Sequence, residues 1–447
     1  MKYFGTDGFR GRANEGLNVE HAFKIGRFVG WYYGARQGKK ARVVLGKDTR
    51  RSSYMFESAL VAGLVASGAD AYMLHVIPTP GVAYETVDGR FDCGIMVSAS
   101  HNPYTDNGIK LVNGEGYKMD EDVLEMIESY IDGEVEVPLA TGDAIGCTVD
   151  YMQGRNRYIA HLIASANFSL QGVKVGLDCA NGAASSVAKP VFDALGADVR
   201  VINNSPDGFN INVDCGSTHI DRLRRHVVEQ GLDVGFAYDG DADRCLAVDE
   251  NGEVIDGDFI MAICGLDMKS RGKLNKDCIV GTIMTNLGFV KCCEANGIHF
   301  EATKVGDRYV LEEMLLENYS FGGEQSGHVI FRDFATTGDG QLTAAQLLSI
   351  LKQREAKLSS LKTVMERYPQ TMVNIKVSPE GKLAFHTDPK VKKAIQQATA
   401  TLNGEGRVIV RPSGTEPLLR VMVEGRDLAL IEKLANDISE VIKEELV

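Results

Sequence analysis

The chain has 447 residues, of which 44% are apolar and 24% charged, and its formal net charge is −13 at pH 7. The length corresponds to about three ordinary domains of roughly 150 residues, and the composition excludes disordered and collagen-like proteins. No apolar run reaches the roughly 18–20 residues of a membrane span and no secretory leader opens the chain, so we expect a cytoplasmic protein without a membrane partner. The negative charge argues against nucleic acid as a partner but is compatible with a basic cleft for an anionic small molecule.

The cysteines also indicate a reducing compartment. There are nine of them, an odd number, and no two form a C-x-x-C pair. A disulfide scaffold or a structural zinc site is therefore not expected. The adjacent Cys292 and Cys293 lie in a helix-like stretch and are expected to pack in a hydrophobic core.

Three stretches of the chain repeat the order strand, helix, strand. Their predicted strands are residues 43–48 and 72–77, 173–178 and 199–202, and 278–282 and 298–302. Each helix is predicted to end at a glycine (Gly68, Gly196 or Gly297), because glycine readily adopts the left-handed conformation that follows a last helical turn. This repeat is typical of β-α-β units and predicts three similar α/β domains.

The C-terminal part follows another pattern. Alternating strands are predicted at 408–410 and 419–423, and an amphipathic helix at 428–447. We therefore predict an α/β protein with three similar domains and a smaller C-terminal α+β domain. The predicted domains are residues 1–150, 151–253, 254–368 and 369–447.

Three carboxylates at alternate positions are the strongest local signal. Asp239, Asp241 and Asp243 directly follow a strand predicted at 234–238. In an extended loop this spacing lets their oxygens converge on a hard cation such as Mg²⁺, without which the three charges would repel each other. A calcium loop of the EF-hand type is the alternative, but its sixth position requires glycine and is Arg244 here.

A serine-rich loop is the second signal. The segment 97–103, with Ser98, Ser100 and His101, follows a strand predicted at 93–97. This arrangement puts a serine hydroxyl at the carboxyl edge of a sheet, where sites of α/β proteins form. The chain lacks the G-x-S-x-G elbow of acyl-transfer enzymes. Taken alone, the serine and histidine are equally compatible with a loop cap.

Three further loops carry ligand-binding residue types. Residues 411–416, with Arg420 beyond them, combine guanidinium, hydroxyl and glycine backbone groups suited to phosphate, although a hairpin turn is the alternative. Residues 322–328 combine carboxylate, amide, hydroxyl and imidazole groups suited to sugar hydroxyls. Residues 6–11 place an arginine in a tight N-terminal loop. No Walker A or G-x-G-x-x-G motif supports a nucleotide site.

Together these motifs indicate phosphoryl transfer through a phosphoserine, because such catalysis relies on positioning and on charge neutralisation. In this order and over the whole chain they resemble the α-D-phosphohexomutase superfamily. Ser98, Gln325 and Asp307 resemble the bacterial branch that acts on glucosamine phosphates. The alternatives are the phosphoglucomutase/phosphomannomutase branch, a Mg²⁺-dependent sugar-phosphate phosphatase, and a binding or scaffold protein without turnover.

The resemblance implies a heart-shaped molecule of four domains with a central cleft. Ser100 would carry the phosphoryl group, and one Mg²⁺ per subunit would be held by its phosphate with Asp239, Asp241 and Asp243. The implied isomerase interconverts glucosamine 6-phosphate and glucosamine 1-phosphate, with a hexose 1,6-bisphosphate as intermediate and activator. Its product would feed UDP-N-acetylglucosamine and cell-wall synthesis.

The resemblance also implies roles for the remaining site residues. Arg10, Lys110 and Arg244 would offset charge on the moving phosphoryl group, and His101 and His328 are candidates for proton transfer. The residues implied to bind the sugar phosphate are Asp307, Arg308, Glu324, Ser326, His328, Arg411, Ser413, Gly414, Thr415 and Arg420. The implied partners are small sugar phosphates, and a homodimer is left open.

Overall fold

The computed structural model describes residues 1–413 and 417–447. Compactness divides them into two units. The first unit comprises Met1–Met284 and Asn296–Val364, and the second comprises Thr285–Ala295 and Met365–Val447. The boundaries between the four domains, near residues 150, 253 and 368, remain predictions.

The described ranges contain nineteen β-strands and fifteen α-helices. The strands are β1 (Phe4–Gly5), β2 (Gly8–Arg12), β3 (Arg42–Lys47), β4 (Asp70–Val76), β5 (Cys93–Val97), β6 (Asp106–Asn113), β7 (Thr148–Asp150), β8 (Lys174–Asp178), β9 (Asp198–Ile202), β10 (Val234–Tyr238), β11 (Cys245–Asp249), β12 (Val254–Ile255), β13 (Cys278–Thr282), β14 (His299–Thr303), β15 (Phe321–Gly323), β16 (Val329–Phe331), β17 (Gln370–Lys376), β18 (Gly406–Pro412) and β19 (Leu418–Gly425). The helices are α1 (Val19–Tyr33), α2 (Arg51–Ala66), α3 (Thr79–Asp88), α4 (Glu121–Ile131), α5 (Met152–Ser165), α6 (Ala188–Ala194), α7 (Asp221–Gln230), α8 (Gly257–Ser270), α9 (Leu287–Ala295), α10 (Asp307–Leu316), α11 (Gly340–Arg354), α12 (Leu358–Leu361), α13 (Pro379–Ala384), α14 (Pro389–Leu402) and α15 (Leu428–Leu446).

The first sheet has the strand order β1-β2-β6-β5-β3-β4-β7. Strand β3 runs parallel to β4 and β5, and β6 runs antiparallel to β5. Helices α1, α2 and α4 share one hydrophobic core with alternate residues of these strands, such as Val43 and Ile95. Helix α3 packs against β3 and β5. Because both faces of the sheet are covered, β3 and β5 form continuous apolar runs, and the sequence located both to within one residue.

The second and third sheets resemble each other at their centres. The second has the order β12-β11-β10-β8-β9, with β8 parallel to both β9 and β10. The third has the order β14-β13-β15-β16, with β13 parallel to both β14 and β15. Each sheet ends in antiparallel pairing, between β10 and β11 and between β15 and β16. These two antiparallel connections carry the predicted metal and sugar motifs.

The predicted helix ends are confirmed in all three repeats. Gly68, Gly196 and Gly297 have φ angles of 88°, 92° and 63°, which lie in the left-handed region. Each stands between the predicted helix and the predicted second strand. A residue with a Cβ would be strained there, so glycine ends each helix and lets the chain return to the sheet.

The second unit contains the smaller C-terminal fold that the sequence predicted. Its sheet has the order β17-β19-β18, and all pairing is antiparallel. Helices α14 and α15 bury apolar residues against it, among them Val391 and Ile438. The buried carboxylate of Glu424 accepts from the backbone N–H of Leu287 and from Arg407 Nε, at 3.0 and 2.6 Å, and so ties α9 to this sheet. The predicted α/β fold class with a smaller final domain is confirmed.

Among the described residues, none of the helices combines the length and the apolar composition that crossing a membrane requires. Eight of the nine cysteines are buried and Cys147 is exposed. Cys292 and Cys293 are buried in α9, as predicted.

Candidate active site

The serine and aspartate motifs meet although they lie on different sheets. Ser100 follows β5 and Asp239 follows β10, each at the carboxyl end of its strand. The Ser100 hydroxyl donates to Asp239 Oδ2 at 2.6 Å, and its Oγ lies 3.2 Å from His101 Nδ1. Both Ser100 and Asp239 are buried. A potential nucleophile thus lies directly against a potential metal ligand.

The three carboxylates converge as expected, but the loop that carries them is not extended. Oxygens of Asp239, Asp241 and Asp243 all lie within 4.8 Å of one another. The expectation of an extended loop was wrong, because the chain turns here. The Ala242 N–H donates to the Asp239 carbonyl at 3.1 Å, and Ala242 has a left-handed φ of 56°.

The chemistry of this cluster fits a hard divalent cation. Oδ1 of Asp241 and Oδ1 of Asp243 are buried and have no hydrogen-bond partner. Burial, and then the neighbouring carboxylates, raise the pKa of Asp239 well above its ordinary value. Buried acceptors without donors are costly, and a cation bound by oxygen ligands would satisfy them. The cluster can therefore hold a metal ion such as Mg²⁺.

One predicted cation, Lys110, borders the cluster, and another, Arg10, lies on the neighbouring strand β2. Lys110 on β6 places its Nζ 2.7 Å from Asp241 Oδ2 and 3.5 Å from Asp243 Oδ2. Arg10 on β2 pairs closely with Asp7, whose Oδ2 is also 3.3 Å from Lys110 Nζ. Burial would raise the pKa of Asp241, but the Lys110 ammonium outweighs it and holds that pKa below its ordinary value.

The third predicted cation reaches the serine through a histidine. Arg244 Nη1 lies 3.1 Å from His101 Nδ1. Because a guanidinium can only donate, Nδ1 is the accepting nitrogen of the ring. Burial, and then the Arg244 and Arg10 guanidinium groups, lower the pKa of His101 to about 4. His101 is therefore neutral at pH 7.

The predicted sugar loop also lies at this site. Residues 324–328 connect β15 to β16, and Ser326 is exposed on this loop. Glu324 Oε1 accepts from the Gly306 N–H at 3.1 Å, and burial raises the Glu324 pKa. His328 Nε2 accepts from a backbone N–H at 3.0 Å, while its Nδ1 lies 3.7 Å from Asp243 Oδ2. The loop thus adjoins the carboxylate cluster.

Asp307 and Arg308 are consecutive but have different surroundings. Asp307 Oδ2 lies 2.7 Å from Lys118 Nζ and 3.6 Å from His328 Nε2, so it belongs to the same group of charges. Arg308 instead directs its guanidinium to the carboxylates of Glu121 and Glu312, each at 2.6 Å.

The predicted phosphate loop lies in the second unit. Strands β18 and β19 pair so that Arg411 faces Arg420. Burial, and then the charge of Arg420, lower the pKa of Arg411. Ser413 is buried and its N–H donates to the Leu418 carbonyl at 2.9 Å. Gly414 and Thr415 lie outside the described residues.

Four domain models of one enzyme family match the chain in sequence. The family models described as "Phosphoglucomutase/phosphomannomutase, alpha/beta/alpha domain" I, II and III match residues 1–137, 156–252 and 256–368. The model of the C-terminal domain matches residues 372–441. The chain belongs to the phosphoglucomutase/phosphomannomutase family.

Curated relatives that match this chain over its full length are phosphoglucosamine mutases. A phosphoglucosamine mutase of Lachnoclostridium phytofermentans is 57% identical over 445 residues, which is 99% of this chain and 98% of the relative. One of Staphylococcus aureus is 47% identical over 447 residues, 100% of this chain and 99% of the relative. The family and enzyme class predicted from the sequence, a mutase and hence an isomerase, are confirmed.

Solved structures of phosphohexomutases share the fold. A phosphoglucomutase/phosphomannomutase family protein of Burkholderia thailandensis has a TM-score of 0.83 at 23% identity and covers 99% of this chain and 97% of its own. An Aspergillus fumigatus N-acetylphosphoglucosamine mutase was solved in complex with GlcNAc-6P and magnesium. It has a TM-score of 0.68 at 17% identity, and the match covers 99% of this chain and 95% of that protein's chain.

Sequence reasoning missed two half-buried charges of this site, Lys118 and the Asp7 carboxylate. Lys118 Nζ bridges Asp7 and Asp307, at 3.1 and 2.7 Å. Burial would raise the pKa of Asp7, but Lys110, Lys118 and then Arg10 hold it well below its ordinary value. The position of Asp7 in the tight loop before β2 was a signal for it. Lys118 follows a turn, and no motif in the sequence marks it.

Proposed function

We propose that the chain interconverts glucosamine 6-phosphate and glucosamine 1-phosphate through a phosphorylated Ser100 and a glucosamine 1,6-bisphosphate. The observation that carries this proposal is the 2.6 Å contact between Ser100 Oγ and Asp239 Oδ2, within a buried cluster of three carboxylates. A serine in this position can exchange a phosphoryl group beside a cation. The identity of 47–57% to full-length phosphoglucosamine mutases supports the choice of an amino sugar.

Asp239, Asp241 and Asp243, with the phosphate on Ser100, would hold one Mg²⁺ per chain. When bound, this ion would neutralise charge on the phosphoryl group. The two carboxylate oxygens without hydrogen-bond partners support this ligand set. A hexose 1,6-bisphosphate would load Ser100 initially and so act as activator.

In the first step, the O1 hydroxyl of glucosamine 6-phosphate attacks the phosphorus on Ser100. The bond from phosphorus to Ser100 Oγ breaks, a bond to O1 forms, a base takes the O1 proton, and the released Ser100 Oγ takes up a proton. In the second step, Ser100 Oγ attacks the phosphoryl group at C6 of the turned intermediate. The C6 phosphoryl group is transferred to Ser100 as Oγ gives up its proton to a base, the released O6 gains a proton, and glucosamine 1-phosphate leaves.

The charged residues of the site support both steps. Arg10, Lys110 and Arg244 would offset the charge of the transferred group, because fixed cations in a buried site stabilise developing charge strongly. The base is proposed to be His101 or His328. His101 is neutral at pH 7 and lies 3.2 Å from Ser100 Oγ, and His328 Nδ1 lies 3.7 Å from Asp243.

The remaining residues would bind the substrate. Glu324 and Ser326 would contact the sugar hydroxyls in either orientation of the ring, together with Asp307, Arg308 and His328. A phosphate group would be bound in the second unit, where Arg411 faces Arg420. The residues proposed for that phosphate are Arg411, Ser413, Gly414, Thr415 and Arg420. The product would supply UDP-N-acetylglucosamine for cell-wall synthesis, which implies a cytoplasmic location.

Substrate comparison tests this proposal. The purified protein with Mg²⁺ and a trace of hexose 1,6-bisphosphate is given glucosamine 6-phosphate or glucose 6-phosphate, and ³¹P NMR follows the products. We expect a 1-phosphate signal that grows much faster from the amino sugar. Faster turnover of glucose 6-phosphate would place the activity in the phosphoglucomutase/phosphomannomutase branch. Inorganic phosphate as the main product would indicate a phosphatase.

A further inference from the structure

The backbone at Ser100 adopts a conformation that serine disfavours. Its φ is 52°, in the left-handed region, although the residue is neither glycine nor asparagine. This conformation costs an ordinary residue about 1–2 kcal/mol and persists only where the surroundings impose it. The groups that surround the Ser100 backbone therefore determine where its hydroxyl points.

Arg50 holds this backbone from one side. It is fully buried, and its Nη2 donates to the carbonyl oxygens of Ser100 and Asn102, at 3.0 and 2.7 Å. A close ion pair with Asp48 fixes the guanidinium. The Ser98 hydroxyl donates to Asp48 at 2.6 Å and accepts from the Ser100 N–H at 3.0 Å. The Ser100 carbonyl is thus bonded to Arg50 directly, and the Ser100 N–H is linked to Asp48 through the Ser98 hydroxyl, so one buried ion pair holds both groups.

Asn212 holds the same two carbonyls from the neighbouring α/β fold. Its Nδ2 donates to Ser100 at 2.9 Å and to Asn102 at 3.2 Å. Gly240 completes the enclosure, because a Cβ there would collide with the Ser100 carbonyl oxygen. The Ser100 carbonyl therefore has two side-chain donors, and no larger residue at 240 fits without displacing it.

We propose that Arg50 and Asn212 are positioning residues that hold Ser100 in its left-handed conformation and thereby direct its Oγ toward Asp239. Their donors contact backbone carbonyls, so they act through Ser100. The inference rests on the proposed function, in which Ser100 carries the phosphoryl group. Without these donors the backbone relaxes toward an ordinary conformation and the hydroxyl moves, and a displacement of about 1 Å can reduce a rate roughly 100-fold.

Asn212→Ala tests the proposal, and Asn181→Ala is its matched control. Both asparagines are 8% exposed and both have left-handed backbones, with φ of 60° and 48°. The Asn181 amide donates to the Asn210 carbonyl at 3.3 Å and accepts from the Ser205 N–H at 3.1 Å, within the same loop region. The two substitutions remove the same atoms, at equal burial, from equally strained backbones.

We expect kcat of Asn212→Ala to fall roughly tenfold or more below that of Asn181→Ala, with KM for glucosamine 6-phosphate nearly unchanged. Arg50→Lys keeps the positive charge beside Asp48 but lacks a second nitrogen to donate to the Ser100 and Asn102 carbonyls. It should likewise lower kcat and leave KM nearly unchanged. In protein phosphorylated by a hexose 1,6-bisphosphate, the ³¹P resonance of the phosphoserine should move toward that of the unfolded phosphoprotein in Asn212→Ala and stay unmoved in Asn181→Ala.

A crystal structure of Asn212→Ala supplies a readout that does not depend on activity. We expect the φ of Ser100 to leave the left-handed region or its loop to become disordered. A φ that remains near 50°, with kcat equal to that of Asn181→Ala, would overturn the proposal. Because φ is measured whether or not the protein is a mutase, failure of this inference is distinguishable from failure of the proposed function.

Discussion

The ammonium nitrogen of Lys110 lies 2.7 Å from Oδ2 of Asp241, inside the carboxylate cluster that is proposed to bind Mg²⁺. The same nitrogen lies 3.5 Å from Asp243 Oδ2. Burial opposes its charge, but these carboxylates and Asp7 raise the pKa of Lys110 above its ordinary value, so it stays protonated. A fixed positive charge therefore shares its carboxylate partners with the proposed metal ion.

Lys110→Met should separate metal binding from catalysis. Removing a cation that repels Mg²⁺ should tighten Mg²⁺ binding several-fold. Because the positive charge of Lys110 would no longer stabilise the phosphoryl group as it reacts, kcat should fall roughly 100-fold or more. Calorimetric titration with Mg²⁺ and steady-state kinetics measure the two effects.

Lys118→Met is the matched control for this experiment. Lys118 is a half-buried lysine of the same site, and its partners are Asp7 and Asp307 rather than the carboxylate cluster. Its removal should leave Mg²⁺ affinity unchanged. Equal changes of Mg²⁺ affinity in both variants would contradict a direct competition between Lys110 and the metal.

Asp239→Asn should be at least as stable as the unaltered protein without metal and should gain much less stability from Mg²⁺. Burial and two neighbouring carboxylates raise the Asp239 pKa, so a neutral amide should fit the metal-free protein at least as well. The unaltered protein should gain about 2.7 kcal/mol when Mg²⁺ is a hundredfold above its Kd, and the variant should gain much less. Thermal unfolding with EDTA and with Mg²⁺ tests this. An equal gain in both proteins would place the ion elsewhere.

Asp339 should make folding stability depend on pH. It is buried at the N-terminus of α11, where it accepts from the N–H groups of Gln341 and Leu342 and from Tyr158 Oη. Burial is the main cause that raises its pKa from 3.8 to about 6. The folded protein thus binds the Asp339 proton more tightly than the unfolded chain does. Proton binding therefore stabilises the folded state fully at a pH below the Asp339 pKa of the unfolded chain, and this stabilisation is lost as the pH rises through about 6. At about 1.36 kcal/mol per pH unit, the loss is roughly 3 kcal/mol.

Asp339→Asn should remove this dependence, because the amide does not ionise. Its oxygen can still accept from the Gln341 and Leu342 N–H groups, and its nitrogen can donate to Tyr158 Oη, which donates to Asp339 in the unaltered protein. In metal-free buffer, denaturant titrations should find the variant equal to the unaltered protein near pH 4 and more stable near pH 7. Asp388→Asn is the control, since Asp388 caps α14 in the same way but is partly exposed. A variant at position 339 that is less stable at pH 7 would contradict the raised pKa.

Arg411→Gln should weaken phosphate binding in the second unit. Burial, and then the charge of Arg420 at the facing position of β19, lower the pKa of Arg411 on β18, and a phosphate bound by both guanidinium groups would offset the repulsion between them. Loss of a charge-assisted hydrogen bond, about 1.5–3 kcal/mol, should raise KM for glucosamine 6-phosphate roughly 10- to 100-fold. Lys376→Gln changes the charge on an exposed position of β17 and should leave KM unchanged. Similar KM values in both variants would argue against a phosphate site at Arg411.

The sequence predicted those features of the fold and site that depend on residues close together in the chain. The runs of β3, β5 and β10 are apolar because these strands are buried, and the three helix-ending glycines are required by their φ angles. The spacing of Asp239, Asp241 and Asp243 predicted their convergence. It did not predict the turn, because the left-handed residue within it is Ala242, which has no tendency toward that conformation.

The parts of the site that the sequence did not predict are buried or half-buried polar side chains whose partners lie far away in the chain. Lys118 pairs with Asp307 across 189 residues, and Asn212 reaches Ser100 across 112. A lysine or asparagine without a motif is usually a surface residue, so only the packing of the first three sheets reveals these pairs. The same holds for Arg50, which the sequence shows as an ordinary residue after β3.

Transfer of a labelled phosphoryl group tests the central claim most directly. Protein carrying ³²P on Ser100 is mixed with unlabelled glucosamine 6-phosphate and Mg²⁺, and the label is followed through a single turnover. We expect the label to move from the protein to the sugar bisphosphate, and Ser100→Ala to accept no label and form no glucosamine 1-phosphate. Label that stays on the protein while glucosamine 1-phosphate accumulates, or that leaves as inorganic phosphate, would contradict a phosphoserine mutase.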